Sequence, residues 1–152
     1  MSLLIKDLFA KPIERHIEEV IKIDQADEET VYQELEEYIL TESIGDHFLT
    51  IYQAIAEAKR EPHEGIGIWV SGFFGSGKSS FAKILGYTVA NRKVLGKRAS
   101  DIIKEKARFS LSSSLAEQLS NYLDFINQNI PTHVVVFDVF TNIITVVSIM
   151  VC

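Results

Sequence analysis

The sequence predicts an α/β protein in which a partial parallel sheet carries helices on both sides, preceded by an N-terminal helical segment. Apolar residues recur at helical spacing before residue 60 and again after residue 78. Short apolar runs at 65–71 and 133–140 are typical of buried strands. A glycine-rich loop joins the first run directly to a helix-forming stretch. We therefore expect two parts, a helical segment at 1–64 and an incomplete sheet domain at 65–152.

The first part is predicted to end in two helices. Residues 1–23 are expected to form an irregular or short helical lead that Pro12 interrupts. Asp24 or Asp27 can cap a helix that starts near Glu28. A second helix is expected from about Ser43. Its single apolar stripe consists of Ile44, Phe48, Ile51 and Ile55.

The second part alternates strands and helices. A buried parallel strand at 65–71 is followed by a helix at 78–91 and a basic loop at 92–98. Ser100 or Asp101 can cap the next helix, and a further helix begins at 112–114 and stops before Pro131. The strand at 133–140 then completes the pattern.

The apolar run at 143–151 has two interpretations. It is either a strand that follows a turn at Thr141 and Asn142, or the end of a membrane-spanning helix. Asp138, Thr141 and Asn142 interrupt the apolar window, and β-branched residues dominate the run, so the strand is favoured. We expect no membrane contact.

Composition narrows the class of protein. The net charge of −6 excludes a generally basic nucleic-acid-binding protein, and one cysteine, Cys152, excludes an internal disulfide. The N-terminus has no secretory signal pattern, which suggests a cytoplasmic protein. Charge is uneven. Residues 1–64 hold 6 basic and 16 acidic side chains, whereas 65–152 hold 9 basic and 5 acidic ones.

The glycine-rich loop has the spacing of a phosphate-binding loop, or Walker A motif: Gly72, four residues, Gly77, Lys78 and Ser79. Glycines let successive backbone N–H groups point into one concavity, at which the following helix aims its positive end. Lys78 is predicted to reach the β- and γ-phosphates, which makes it the candidate catalytic residue. The hydroxyl of Ser79 is the candidate Mg²⁺ ligand. The complete predicted ATP-binding set is Gly72, Phe73, Phe74, Gly75, Ser76, Gly77, Lys78, Ser79 and Ser80.

Three residues around this motif have open roles. Phe73 and Phe74 can hold an adenine or a neighbouring subunit, although packing the loop against the preceding helices is favoured. Asp138 ends an apolar strand, as does the Walker B aspartate that positions Mg²⁺. No acidic residue follows it, so this role is disfavoured.

Four blocks resemble the large P-loop ATPases of bacterial phage-exclusion (BREX) systems, the BrxC/PglY family. They are IKDLFAKPIER at 5–15, VIKIDQADE at 20–28, ELEEY at 34–38 and GIWVSGFFGSGKS at 67–79. The resemblance extends from about residue 4 to about residue 140 and is loose over 92–132. It implies an AAA-like ATPase that uses ATP and Mg²⁺ in antiviral defence, with other BREX proteins or copies of itself as partners. It also implies DNA contact only in a full-length protein, and a Mg²⁺ aspartate other than Asp138.

Such ATPases are many times longer, so we expect this chain to be a fragment with ATP hydrolysis lost. Two other functions remain open. The chain is either a non-catalytic protein-interaction module in which the loop is structural, or, less favoured, a small-molecule kinase.

Overall fold

The computed structural model describes residues 4–9, 12–14, 27–59, 66–73, 75–139 and 144–151. The predictions for residues 15–23 and for the turn at 141–142 lie outside these ranges. A short 3-10 helix, Ile5–Leu8, comes first. The elements that follow are α1 (Glu28–Glu37), α2 (Glu42–Ala58), β1 (Ile66–Ser71), α3 (Lys78–Val89), β2 (Lys93–Val94), β3 (Lys97–Arg98), α4 (Ala99–Ser110), α5 (Ser113–Asn129), β4 (Thr132–Val139) and β5 (Ile144–Val151).

α1 begins at a predicted capping residue, whereas α4 does not: Arg98 precedes α4, and the predicted caps Ser100 and Asp101 lie inside the helix. Asp27 precedes α1, and its side chain accepts a hydrogen bond from the Thr30 N–H at 2.9 Å. This bond also lowers the pKa of the Asp27 carboxyl. Thr41 caps α2 by accepting from the Ile44 N–H at 3.3 Å. The predicted basic loop at 92–98 contains a small antiparallel hairpin, β2–β3, where the sequence predicted no strands.

The sheet differs from the prediction. It has three strands in the order β1-β5-β4, and both pairings are antiparallel. The expected parallel sheet is therefore wrong, while the class of mixed helix and strand is confirmed. The physical reason is that the apolar run at 144–151 folds back along β4 and lies between β4 and β1. Antiparallel neighbours need only a short connection, whereas parallel ones need a long crossover.

Helices cover one face of the sheet, so the prediction of helices on both sides is also wrong for the described residues. α3 contacts β1, β5 and β4. Gly86 allows this close approach, because a Cβ there would lie 3.0 Å from Val136 Cγ2. The opposite face exposes Trp69, Val135 and Phe137 to solvent.

One hydrophobic core contains residues from both predicted parts. Leu35 of α1 and Phe48 of α2 are fully buried together with Leu85, Leu119 and Ile149 from later elements. The ring of Phe48 also stacks on that of Phe81 in α3, with centroids 4.7 Å apart. The helices before β1 are thus packed directly on the helix that follows the glycine loop. Within the described ranges, none of the helices has the length and apolarity needed to cross a membrane.

Candidate functional site

The glycine-rich loop turns the chain from the end of β1 into the start of α3. Ser71 is the last residue of β1, and Gly77 caps α3. Gly75 and Gly77 have positive φ angles of 77° and 85°, in the left-handed region that side-chain-bearing residues rarely adopt. The loop conformation therefore requires glycine at these two positions.

Gly72 lies close to two side chains of the loop. A Cβ at this position would lie 2.7 Å from Ser76 Oγ and 3.4 Å from Lys78 Cγ. The Ser76 N–H donates to the Phe73 carbonyl at 3.2 Å, which closes the curl of the loop. A side chain at Gly72 would therefore have to displace the Ser76 hydroxyl and would lie in van der Waals contact with Lys78.

The side chain of Lys78 folds back over the loop. Its Nζ donates to the Phe73 carbonyl at 3.1 Å, and the residue is only 8% exposed. The bond ties the ammonium to a neutral carbonyl. An oligophosphate in the same concavity would offer this cation a charged acceptor instead, and charge-assisted hydrogen bonds are the stronger kind.

The first turn of α3 adds donors to the same place. Lys78, Ser79 and Ser80 are its first three residues, and Gly77 offers no side chain to cap their N–H groups. The positive end of the helix dipole lies here and favours an anion. Ser79 and Ser80 are partly buried, whereas Ser76 is exposed. The hydroxyl of Ser79 suits Mg²⁺, which prefers oxygen ligands shared with phosphate and water.

Phe73 does not pack the loop against the preceding helices. It is 91% exposed, so the favoured role for this residue is wrong. Phe74 lies outside the described residues. The nucleotide roles of both remain predictions.

Asp138 is not on a strand adjacent to β1. Val70 is in register with Thr145, and Thr145 is in register with Asp138. Two strand spacings, about 10 Å, therefore separate the backbone of Asp138 from that of β1. The described residues also contain no cluster of three or more His, Cys, Asp or Glu side chains able to hold a metal.

A groove of about 570 Å³ opens beside the loop, along the edge of β1 that faces away from β5. α2 forms its far wall, which was not predicted from the sequence. Ile51 belongs to the predicted apolar stripe, but nothing in the sequence indicated which surface His47 and Thr50 would face. The groove is lined by His47, Thr50, Ile51, Ile68, Trp69, Val70, Ser71, Gly72, Phe73, Ser76, Gly77, Lys78 and Phe81.

A buried ion pair fixes α1 to α3 behind the loop. Lys83 Nζ lies 2.6 Å from Glu34 Oε1, and the two side chains are 2% and 11% exposed. Burial raises the pKa of Glu34, although the adjacent Lys83 opposes the rise. Burial likewise raises the pKa of Tyr87, whose ring lies 5.9 Å from Lys83 Nζ. These groups support the position of α3 and do not line the groove.

Comparison with known proteins gives no family for the chain. No protein-family model matches it, and no solved structure gives a significant match. The case for a function therefore depends on the spacing of the glycine loop and on its geometry beside α3.

Proposed function

We propose that this chain binds a nucleoside triphosphate, ATP with Mg²⁺, through residues 72–80. The proposal depends on the arrangement of the glycine-rich loop and the first turn of α3. Glycines with positive φ lead into the uncapped first turn of α3, and the ammonium of Lys78 lies over the same loop, 3.1 Å from the Phe73 carbonyl. Backbone donors, a helix dipole and a cation together suit an anion of several negative charges.

Each loop residue has a distinct role in the proposal. Backbone N–H groups from Gly75 to Ser80 surround the phosphates, and Lys78 exchanges the Phe73 carbonyl for the β- and γ-phosphates. The Ser79 hydroxyl would hold Mg²⁺, which would neutralise negative charge on the phosphates. Slow hydrolysis is expected, because none of the described residues lining the groove carries a carboxylate to activate water.

We also propose that the chain belongs with the BREX phage-defence ATPases. Support comes from the sequence blocks at 5–15, 20–28, 34–38 and 67–79. The proposal includes the partners that this resemblance implies: other BREX proteins or further copies of the chain. The antiparallel sheet gives no support to the AAA-like arrangement, so the family proposal rests on those blocks alone.

An interaction module is the second candidate, and one observation favours it. The face of the sheet opposite α3 exposes Trp69, Val135 and Phe137, and clustered apolar side chains on a surface often mark a protein contact. In this alternative the glycine loop is a tight turn that binds no nucleotide.

Thermal unfolding with and without Mg-ATP separates the two candidates. A ligand at 100 times its Kd adds about 2.7 kcal/mol of stability. For a chain of this size the expected rise in Tm is about 5–11 °C. Equal melting of the wild type with and without Mg-ATP would favour the interaction module.

Two substitutions sharpen the test. Lys78→Ala should abolish the rise in Tm, because it removes the cation over the loop. Lys93→Ala removes the same charge from an exposed position in β2 and should leave the rise intact. A rise that persists in Lys78→Ala, or that disappears equally in both variants, would count against binding at this loop.

A further inference from the structure

The groove between β1 and α2 begins at the phosphate-binding loop and leads away from it. Six of its lining residues lie between the end of β1 and the start of α3: Ser71, Gly72, Phe73, Ser76, Gly77 and Lys78. The others come from α2, from the middle of β1 and from Phe81 of α3. A ligand anchored by its phosphates on the loop therefore has a continuous path for its remaining part. The volume of about 570 Å³ is in the range of small-molecule sites.

The walls of the groove suit a flat heterocycle. Ile51 and Phe81 present apolar surface from two helices, and both are partly buried. Phe73 adds an aromatic ring that is 91% exposed, and Trp69 borders the groove from the edge strand β1. An aromatic ring this exposed gains by covering one face with another ring, because stacking removes apolar area from water. Inorganic phosphate or a simple anion would use none of this surface.

The groove also supplies polar groups at its borders. β1 pairs with β5 on one side, so along its other edge, where β1 borders the groove, some backbone N–H and C=O groups point away from β5. The Thr50 hydroxyl donates to the Asp46 carbonyl at 2.9 Å, which leaves the Thr50 oxygen to accept. His47, one turn earlier in α2, is exposed at the same border. These groups match the amino groups, ring nitrogens and hydroxyls of a nucleoside.

We infer that the groove holds the base and ribose of the bound nucleoside triphosphate, with α2 as the second wall of the site. This inference rests on the proposed binding of phosphates at residues 72–80. It extends the site beyond the loop to His47, Thr50 and Ile51. It also makes the helices before β1 part of the ligand site, so nucleotide affinity depends on them.

The experiment compares Mg-ATP with Mg-tripolyphosphate, which has the phosphates without a nucleoside. Thr50→Phe fills the groove from an exposed position of α2. Gln118→Phe, at an exposed position of α5 that does not line the groove, is the matched control. Titration calorimetry should show wild type binding Mg-ATP at least tenfold more tightly than Mg-tripolyphosphate. Thr50→Phe should remove that preference and change tripolyphosphate affinity by less than twofold, and Gln118→Phe should change neither.

The single tryptophan of the chain provides a second readout. Trp69 lines the groove, so its fluorescence should change on binding of Mg-ATP and should change far less with Mg-tripolyphosphate. His47→Phe serves the same purpose as Thr50→Phe if the latter does not fold.

The outcomes distinguish binding of the base in the groove from binding of the phosphates at the loop. Two results would refute the placement of the base and ribose in the groove: equal wild-type affinities for the two ligands, or equal losses of affinity for both ligands in Thr50→Phe. Neither result would refute phosphate binding at the loop. Binding of neither ligand to the wild type would overturn the proposed function and the groove together.

Discussion

The ion pair between Lys83 and Glu34 allows a sharp test of how α1 is held on α3. Lys83→Met removes the ammonium and keeps a side chain of similar length in a buried position. The Glu34 carboxylate then loses a partner 2.6 Å away while its side chain is only 11% exposed. Removing one partner of a buried pair costs about 3–5 kcal/mol. We expect a loss of about 3 kcal/mol at pH 7, equivalent to a fall in Tm of about 6–12 °C.

The loss should depend on pH. Burial raises the pKa of Glu34 above its ordinary value of 4.5, and Lys83 opposes that rise. Without Lys83 the pKa in the folded state rises further. A carboxyl with a folded pKa above its unfolded value stabilises the fold below the unfolded pKa, and this contribution is lost as pH rises through the folded pKa. The deficit of Lys83→Met relative to wild type should therefore be largest at pH 7 and shrink toward pH 4.

Urea unfolding followed by far-UV circular dichroism measures both effects. The double variant Lys83→Met/Glu34→Leu leaves no charge without a partner, so it should return to within about 1 kcal/mol of the wild type. Lys93→Met, at an exposed position, is the control for the loss of a lysine. A deficit below about 1 kcal/mol, an unchanged deficit at low pH, or a double variant as unstable as the single one would refute the reasoning.

Three further predictions concern the contact of α3 with the sheet, a buried hydrogen bond and the uncovered face of the sheet. Gly86→Val should cost about 1–3 kcal/mol in urea unfolding, because its Cβ would press on the β4 valines. The control is Gly67→Val in β1, where an added Cβ meets no atom within 4 Å, so this change should be neutral. Tyr52→Phe should lower the free energy of unfolding by about 1 kcal/mol, because it removes the buried 2.7 Å hydrogen bond to Thr88. A double-mutant cycle with Thr88→Val should show coupling between the two hydroxyls. Phe137 is exposed on the uncovered face of the sheet. Phe137→Ser should therefore reduce self-association, measured by sedimentation at high protein concentration, without lowering the urea midpoint. Identical sedimentation of the variant and the wild type would contradict this.

Local signals in the sequence were sufficient to locate the helices and the glycine loop, although Arg98, and not Ser100 or Asp101, precedes α4. Asp27 has the side chain that a helix start needs, and the spacing of Phe48 and Ile55 indicates which side of α2 is buried. Gly75 and Gly77 occupy positions where only glycine is unstrained. Each of these features depends on residues within a few positions of one another, so the sequence contains all the information needed to predict it.

The sheet and the groove depend on residues far apart in the chain. An apolar run such as 144–151 has the same local pattern in a parallel and in an antiparallel pair, so nothing in it specified its place between β4 and β1. Likewise, the polar face of α2 did not indicate that His47 and Thr50 would border the loop. Phe73 was misjudged because a large apolar residue is ordinarily buried, and exposure at a loop is decided by the tertiary structure.

The strand order has a consequence for how the protein is made. Ile66 of β1 pairs with Ile149, which is 83 positions later in the chain. At about 5–20 residues per second, a ribosome needs roughly 4–17 s to synthesise that interval. During this time the strand leading into the glycine loop has no sheet partner, and such long-range pairing slows folding. Nascent chains should therefore depend on chaperones until the late strand is available to join the two earlier ones.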